Sequence, residues 1–563
     1  MCCFVLLFAI LTITSSLGKS PTFDETVHLF AGYTYVRWGD FRTNPEHPPL
    51  AKALAALPLL ALDIEDPRPA SPQWDLISKE KDYAMANRVL FFDNDAETLF
   101  FWGRLPMIGL GVLLGVFVYL WTKQAFGLDA AIAALIIYGL DPNILAHSQI
   151  VHTDLPFSAF FFIGSYFLWR TLGRLTWPNL FLTSISFGLA AITKFSFLAV
   201  VPIWVILGIV KVFSSEPWEC RIGLPRAASA RWTKAAIFAG VLICTFVVAY
   251  FCIWAAYGFR FHAIAGGDRH LPVDRVMAEN HFLQGLVAFS NDNYLFPEAW
   301  TYGFLSVLKI FRRLTYLLGE ISEEGFWLYF PVAFAVKTPL ATLLLLLAAL
   351  GDWIVKRRLR STQFLILLCI VLYFTVAVWS RVNIGLRHLL PIYPFLFVLI
   401  GGMAAELWEG RWHKRSMLVA LGCWQLWSSL SIYPHYLAYF NELVGGPKNG
   451  YRVLTDSSLD WGQDLKGLKR WMDQNGVKKI QLAYFGTADP IYYGIDAVYM
   501  PGSLILTPRA ESKNPEAPKY LAISVTYLEG GFPERELRDI YKSFRSRQPV
   551  AKIGYSIFVY RLD

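Results

Sequence analysis

Apolar residues run through this chain in long blocks, not in the alternation or one-sided stripes of a soluble fold. About eleven blocks reach, or nearly reach, the roughly 20 residues that a spanning helix needs. They cover residues 2–18, 99–122, 127–146, 154–170, 179–193, 195–212, 235–256, 329–354, 363–380, 389–408 and 416–432. The pattern predicts an all-α polytopic membrane protein. The block at 154–170 is short, and so are the two pieces of 179–212, divided at Thr193-Lys194. The first block has a second reading as a signal peptide, because it ends in SSLG before KS, although no charged n-region precedes it.

Past position 432 the pattern changes. Short β-rich runs (KIQLAYF, KYLAISVTYL, SIFVYRL) alternate with turn signals (GGPKNG, QNGVKK, YLEGGFPE), and LKGLKRWMDQ has a helical pattern. Residues 433–563 are therefore expected to form a small α/β domain beside a membrane domain of residues 1–432. No internal repeat or low-complexity tract interrupts either part.

Composition agrees with a bilayer setting: 55% of the residues are hydrophobic and only 17% charged, with a mean hydropathy of +0.41. The net charge of +8 is informative through its distribution. Dense positive charge sits in KVFSSEPWECRIGLPRAASARWTK, in KRRLR at 356–360 and in RWHKR at 411–415. With eleven spans and the N-terminus inside, all three fall on the cytoplasmic side, which leaves residues 19–98, 257–328 and the tail outside. No Gly-rich phosphate loop or nucleic-acid motif is present, so no nucleic-acid partner is expected. The seven cysteines fall almost entirely in apolar stretches and outline no disulfide framework or CxxC site.

The first external loop holds the most concentrated chemistry. In FDETVHLFAGYTYVRW, Asp24 and Glu25 open an amphipathic helix whose Val27, Phe30, Ala31 and Tyr35 share a face. Asp24 is either its N-cap or a free carboxylate. Downstream, EHPPLAK offers the His47 imidazole, a turn stiffened by Pro48 and Pro49, and the Lys52 ammonium. Two carboxylates and two potential cations at a membrane surface suit a reaction that needs a base and an anion holder.

DE, then GDF, then EHPPLAKALAALPLL resembles the first external loop of the dolichyl-phosphate-mannose protein mannosyltransferases and their bacterial relatives, including the aminoarabinose transferases. This is glycosyltransferase family 39, with the GT-C membrane fold. The resemblance continues through HSQIVHTDLPFSAFFF, GLAAITKFSFLAVVP, VKTPL and NIGLRHLLPIYPF, over roughly residues 20–410. It implies an inverting transferase that moves a hexosyl or pentosyl group from a polyprenyl (undecaprenyl or dolichyl) phosphate to a hydroxyl on a lipid, protein or glycan acceptor, as in protein O-glycosylation or cell-envelope assembly. By resemblance, Asp24 is the base, Glu25 positions Asp24 or the acceptor, and Asp154 faces the same cavity, with helix capping as its alternative. The departing phosphate needs cations on the outer side, and Lys337, Arg381, Arg387 and His388 are placed for that, with His47 and Lys52 as further contacts. Each of these could instead snorkel to headgroups. Lys194 reads as structural. Some GT-C enzymes use a divalent ion, but Glu46-His47 makes no complete site, and no cofactor or catalytic metal is expected.

The tail departs from the eukaryotic members, which carry MIR domains. In DSSLDWGQDLKGLKRW, Asp456, Asp460 and Asp464 recur every fourth residue; an EF-hand is rejected because position twelve is Gly467. Helix capping near Leu465 or a polar contact face remains for them. These departures, and the lack of N-x-S/T sequons, favour a bacterial inner membrane with a periplasmic site. The alternatives are an oligosaccharyltransferase or polymer ligase with a lipid-pyrophosphate donor, a polytopic transporter and a non-catalytic scaffold.

Overall fold

A computed structural model of the chain describes residues 1–562 apart from 67, 69–73, 75–76, 224–226, 265, 267–270, 274–280, 310–312, 357–360, 505 and 507–516. The architecture is mostly helical. Every predicted apolar block contains helix, including Cys2–Leu17, Ala96–Phe126, Asp154–Gly173, Trp177–Ala191, Arg231–Ala256, Ser361–Ser380 and Trp412–Leu430. Among the described residues, five helices are long and apolar enough to cross a membrane, or seven if each of two bent pairs is one span.

Both bends have local causes. Leu128–Gly139 and Pro142–Ser148 meet at 64°, where Asp141 caps the second piece by accepting the N–H groups of Asn143 and Ile144 at 2.9 and 3.0 Å. Tyr329–Lys337 and Leu340–Lys356 meet at 111°, across Thr338-Pro339, because proline supplies no N–H to continue a helix. Lys337 therefore ends a helix at this corner instead of lying two turns into a continuous span. Of the basic run at 356–360, only Lys356 lies within the described residues.

Outside the bundle, Phe23–Trp38 is the helix that carries the first carboxylates. Its N-cap is Thr22, not Asp24. Glu25, at the third helical position, reaches back so that its Oε2 accepts the Thr22 N–H at 2.8 Å. The helix stops at Gly39, whose φ of 60° suits glycine. It lies almost on the backbone of Leu50–Ala56: a Cβ at Gly32 would stand 2.0 Å from the Lys52 carbonyl oxygen.

The C-terminal region forms a five-stranded mixed sheet in the order Ala497–Tyr499, Ile480–Ala483, Tyr520–Ser524, Ile557–Arg561, Ala551–Ile553. Its first three strands run parallel and the last two pair antiparallel. The sheet and the helix Leu465–Gln474 do not keep a private core. Leu465, Leu468, Ile480, Leu482 and Val559 share one apolar cluster with Leu29, Phe30, Met85 and Leu90 of the 19–98 segment.

Replacing Gly32 by Val forces the two loop helices apart. Overpacking of this kind costs about 1–3 kcal/mol, and a lowered thermal midpoint of the purified protein, with its helical content retained, is the expected outcome.

Candidate active site

Asp24 occupies the second position of its helix, free of capping duty, with a side chain 23% exposed. Its Oδ2 accepts a hydrogen bond from Arg387 Nη1 at 3.0 Å. The same Nη1 lies 3.7 Å from Asp154 Oδ2, and Asp154 Oδ1 pairs with Lys194 Nζ. Four charges from four segments thus form a chain: Asp24, Arg387, Asp154, Lys194. Arg387 comes from the 3-10 turn Leu386–Ile392 and Asp154 opens the helix after HT, where Thr153 is the N-cap. Asp154 makes no capping bond of its own; instead its Oδ2 lies 3.2 Å from His152 Nδ1, while His152 Nε2 donates to the His147 carbonyl at 2.9 Å.

The guanidinium of Arg387 also rests on the Trp461 ring, 4.2 Å from its centroid. Its Nε is buried without a hydrogen-bond partner, as are His388 Nε2 and His47 Nδ1. Of the three, Arg387 Nε is a donor in every protonation state, so the site is short of at least one acceptor.

Electrostatics separates the two adjacent carboxyls by role. Burial alone would raise Asp24, but the Arg387 guanidinium, helped by His28 and Arg313, holds its carboxyl below the usual value. Asp24 is a carboxylate at neutral pH. Glu25 is likewise held down against burial, by Arg104, which grips both its oxygens at 2.9 Å. Glu25 Oε1 also accepts the Val151 N–H at 3.1 Å. Every direction around Glu25 is used for structure, and no bond links it to Asp24. Burial pushes His28 down to about 4 and His47 well below its ordinary range, so both are neutral imidazoles.

The expected phosphate cations divide into two groups. Arg387, His388 and His47 surround the carboxylates. Lys52 does not: it is buried and donates to Asn44 O at 2.6 Å, Asn44 Oδ1 at 3.2 Å and Tyr35 Oη at 2.8 Å, with burial lowering its pKa to about 7. Lys337 is equally occupied, by the carbonyls of Leu437 at 2.8 Å and Ser458 at 2.6 Å. Arg381 stacks on Trp327, 4.6 Å from the ring centroid. Nor do the tail aspartates act as expected. Asp464 is the N-cap residue of Leu465–Gln474 but makes no capping bond, pairing with Lys19 Nζ at 2.6 Å and accepting from Ser556 Oγ at 2.6 Å. Asp456 lies in the field of Arg387 and Asp24, and burial raises it to about 6.

Lys194 and Trp461 were not foreseen as site residues. A lysine within an apolar run is itself a signal of function; a tryptophan of the C-terminal region has no such signal. Among the described residues no group of three or more His, Cys, Asp or Glu side chains is arranged to hold a metal ion. A cavity of about 220 Å³ opens one helical turn beyond Asp24, lined by Val27, Asn44, Glu46, Asp82, Tyr83 and Tyr302 among others.

Residues 97–224 match the family model of the dolichyl-phosphate-mannose-protein mannosyltransferases. That stretch is similar to the mannosyltransferases. The matched stretch contains HSQIVHTDLPFSAFFF and GLAAITKFSFLAVVP and agrees with the resemblance read from those two motifs. No curated protein matches the chain. Among solved structures, the S. cerevisiae protein O-mannosyltransferase Pmt1–Pmt2 complex is similar at 17% identity, covering 50% of this chain and 36% of that one, with a TM-score of 0.36. ArnT from Cupriavidus metallidurans is similar at 12% identity, covering 100% and 97%, with a TM-score of 0.33. The Archaeoglobus fulgidus oligosaccharyltransferase is similar at 14% identity, covering 92% and 58%, with a TM-score of 0.43. The chain thus spans about a third of the yeast protein's length and over half of the archaeal one's.

Two neighbouring substitutions have unequal consequences. Glu25→Ala strands a buried arginine and costs roughly 3–5 kcal/mol of stability, read as a lower thermal midpoint. Because folding lowers the Glu25 pKa, its contribution is present at neutral pH and disappears as pH falls through the folded value. Asp24→Asn, at a side chain 23% exposed and able to keep an acceptor for Arg387, lowers the thermal midpoint less than Glu25→Ala.

Proposed function

We propose that the protein is an inverting membrane glycosyltransferase that takes a sugar from a polyprenyl phosphate and passes it to a hydroxyl acceptor at the outer face of a membrane. The observation that carries this reading is the partly exposed Asp24 carboxylate, 3.0 Å from an arginine whose Nε has no partner. Asp24 takes the proton of the acceptor hydroxyl while that oxygen attacks the anomeric carbon from the face opposite the phosphate. The bond from the anomeric carbon to the phosphate oxygen breaks, and the phosphate leaves with the electron pair.

Charge is conserved locally in this scheme. As the leaving phosphate gains one negative charge, Asp24 loses one by protonation. Arg387 holds the donor phosphate on binding, and protonation of Asp24 removes the carboxylate that competes for it as charge grows on the leaving group. His388 and His47, with their unpartnered nitrogens, complete the phosphate cradle, and Lys194 neutralises Asp154 behind it. The acceptor enters through the cavity lined by Tyr83 and by Val27, one turn along the helix that carries the base. The site and the C-terminal region face the periplasm of a bacterial inner membrane, with the basic loops on the opposite side.

The test is sugar release from a panel of labelled polyprenyl-phosphate and polyprenyl-pyrophosphate donors, with Asp24→Asn at matched folded levels. Turnover of a monophosphate donor, reduced at least about a thousandfold in the variant, is expected; turnover of a pyrophosphate donor alone would make the protein an oligosaccharyltransferase or ligase. Arg387→Gln removes the charge that holds Asp24 low, so the acid limb of kcat/KM moves to higher pH in that variant. An unmoved limb would remove Asp24 as the titrating base.

A further inference from the structure

Residue Trp461 belongs to a strap, residues 455–464, that leaves the sheet region and lies against both halves of the site. Two contacts fasten it to the Arg387 segment and a third to Lys337. Ser458 Oγ accepts the Leu386 N–H at 3.2 Å, Ser457 Oγ donates to the Ile384 carbonyl, and the Ser458 carbonyl accepts from Lys337 Nζ at 2.6 Å. Others fasten it to the Asp24 helix: the Trp461 carbonyl accepts the Phe23 N–H at 2.7 Å, and the Gln463 carbonyl accepts the Ser20 N–H at 3.0 Å. One residue therefore touches both partners of the ion pair. The carbonyl of Trp461 fixes the first turn of the helix carrying Asp24, while its 2% exposed ring supports the Arg387 guanidinium from below. On the ring's other neighbours, His152 and His147 stand at centroid distances of 6.1 and 6.4 Å, which ties Trp461 to the Asp154 side as well.

We propose that Trp461 is a positioning residue for donor binding: it holds the plane of Arg387 so that the guanidinium can exchange Asp24 for a lipid phosphate without swinging away. The C-terminal region then completes the active site and is not an appendage to it. This inference rests on the transferase reading for the identity of the donor, but its physical content is a cation held for a phosphate monoester or diester.

An arginine anchored by hydrogen bonds to carboxylates alone would lose its orientation when the phosphate replaces them. A stacked arginine keeps one face fixed and leaves all of its N–H edge available, since stacking uses the π surface and no donor. The ring also excludes water from that face, which strengthens the charge–phosphate interaction.

The experiment pairs two variants, Trp461→Leu and Trp461→Phe, in the full-length protein at matched folded levels. Two readouts are taken: the Kd for undecaprenyl phosphate in detergent, and kcat and KM for the donor that wild type turns over. Both variants keep the backbone carbonyl that holds Phe23. Trp461→Leu should raise the Kd and the donor KM about tenfold, with kcat changed less than about threefold, and Trp461→Phe should recover most of the loss. A Kd unchanged by Trp461→Leu overturns the inference. So does a fall in kcat and thermal midpoint with KM unchanged and no rescue by Phe, which is the signature of a structural residue. Wild type that turns over no donor, but binds undecaprenyl phosphate through Trp461, removes the transferase reading and leaves this inference standing. Wild type that binds no phosphate lipid overturns both.

Discussion

The arrangement depends on a single shared cation. Arg387 stands between Asp24 and Asp154, and its position determines which of the two carboxylates is free to act. A buried guanidinium costs several kcal/mol to desolvate and survives only with compensation on several sides. Here the compensation is two carboxylates and an aromatic face, with one edge atom left without a partner. Asp154 is itself balanced by Lys194, so two anions and two cations meet with no net charge. In the proposed reaction a donor phosphate adds one negative charge to this balanced set, and the proton transferred to Asp24 offsets the second charge that the leaving phosphate gains. Binding and proton transfer are coupled through the same arginine.

The surrounding structure holds that arginine and the Asp24 helix at fixed separation. Glu25 and Arg104 tie the Phe23–Trp38 helix to the Ala96–Phe126 helix and to the carbonyls of Ser16 and Ser20. Lys52 closes the HPPLAK turn on Asn44 and Tyr35. Lys337 joins the corner at Thr338-Pro339 to the strap. These buried lysines spend their donors on carbonyl groups that would otherwise be unsatisfied. Their charge is used to brace the site, and the reacting groups are left to the residues between them.

Apolar block lengths located the helices well, because a run of twenty uncharged residues permits little else. They could not locate the two bends, which arise from Asp141-Pro142 and Thr338-Pro339 within otherwise apolar runs. Asp24, Asp154, Arg387, His388 and His47 were legible as a group from their motifs. The division of labour between Asp24 and Glu25 was not read: Asp24 was the N-cap candidate, although the Thr22-x-x-Glu25 spacing carries the capping box that the structure forms. Lys52, Lys337 and Arg381 stand apart from that group, each held by carbonyls or a ring, because a sequence records that a cation is present and not what occupies it. Trp461 was invisible for a different reason: it reaches the site from more than 400 residues away in the chain, across a boundary that composition suggested and packing does not respect.

The most direct measurement is an experimental structure of the protein with undecaprenyl phosphate bound. The account predicts Arg387 Nη1 within hydrogen-bond distance of a phosphate oxygen, its ring contact with Trp461 kept, and Asp24 released towards the cavity. A phosphate bound elsewhere, with the 3.0 Å bond between Arg387 and Asp24 intact, would contradict it.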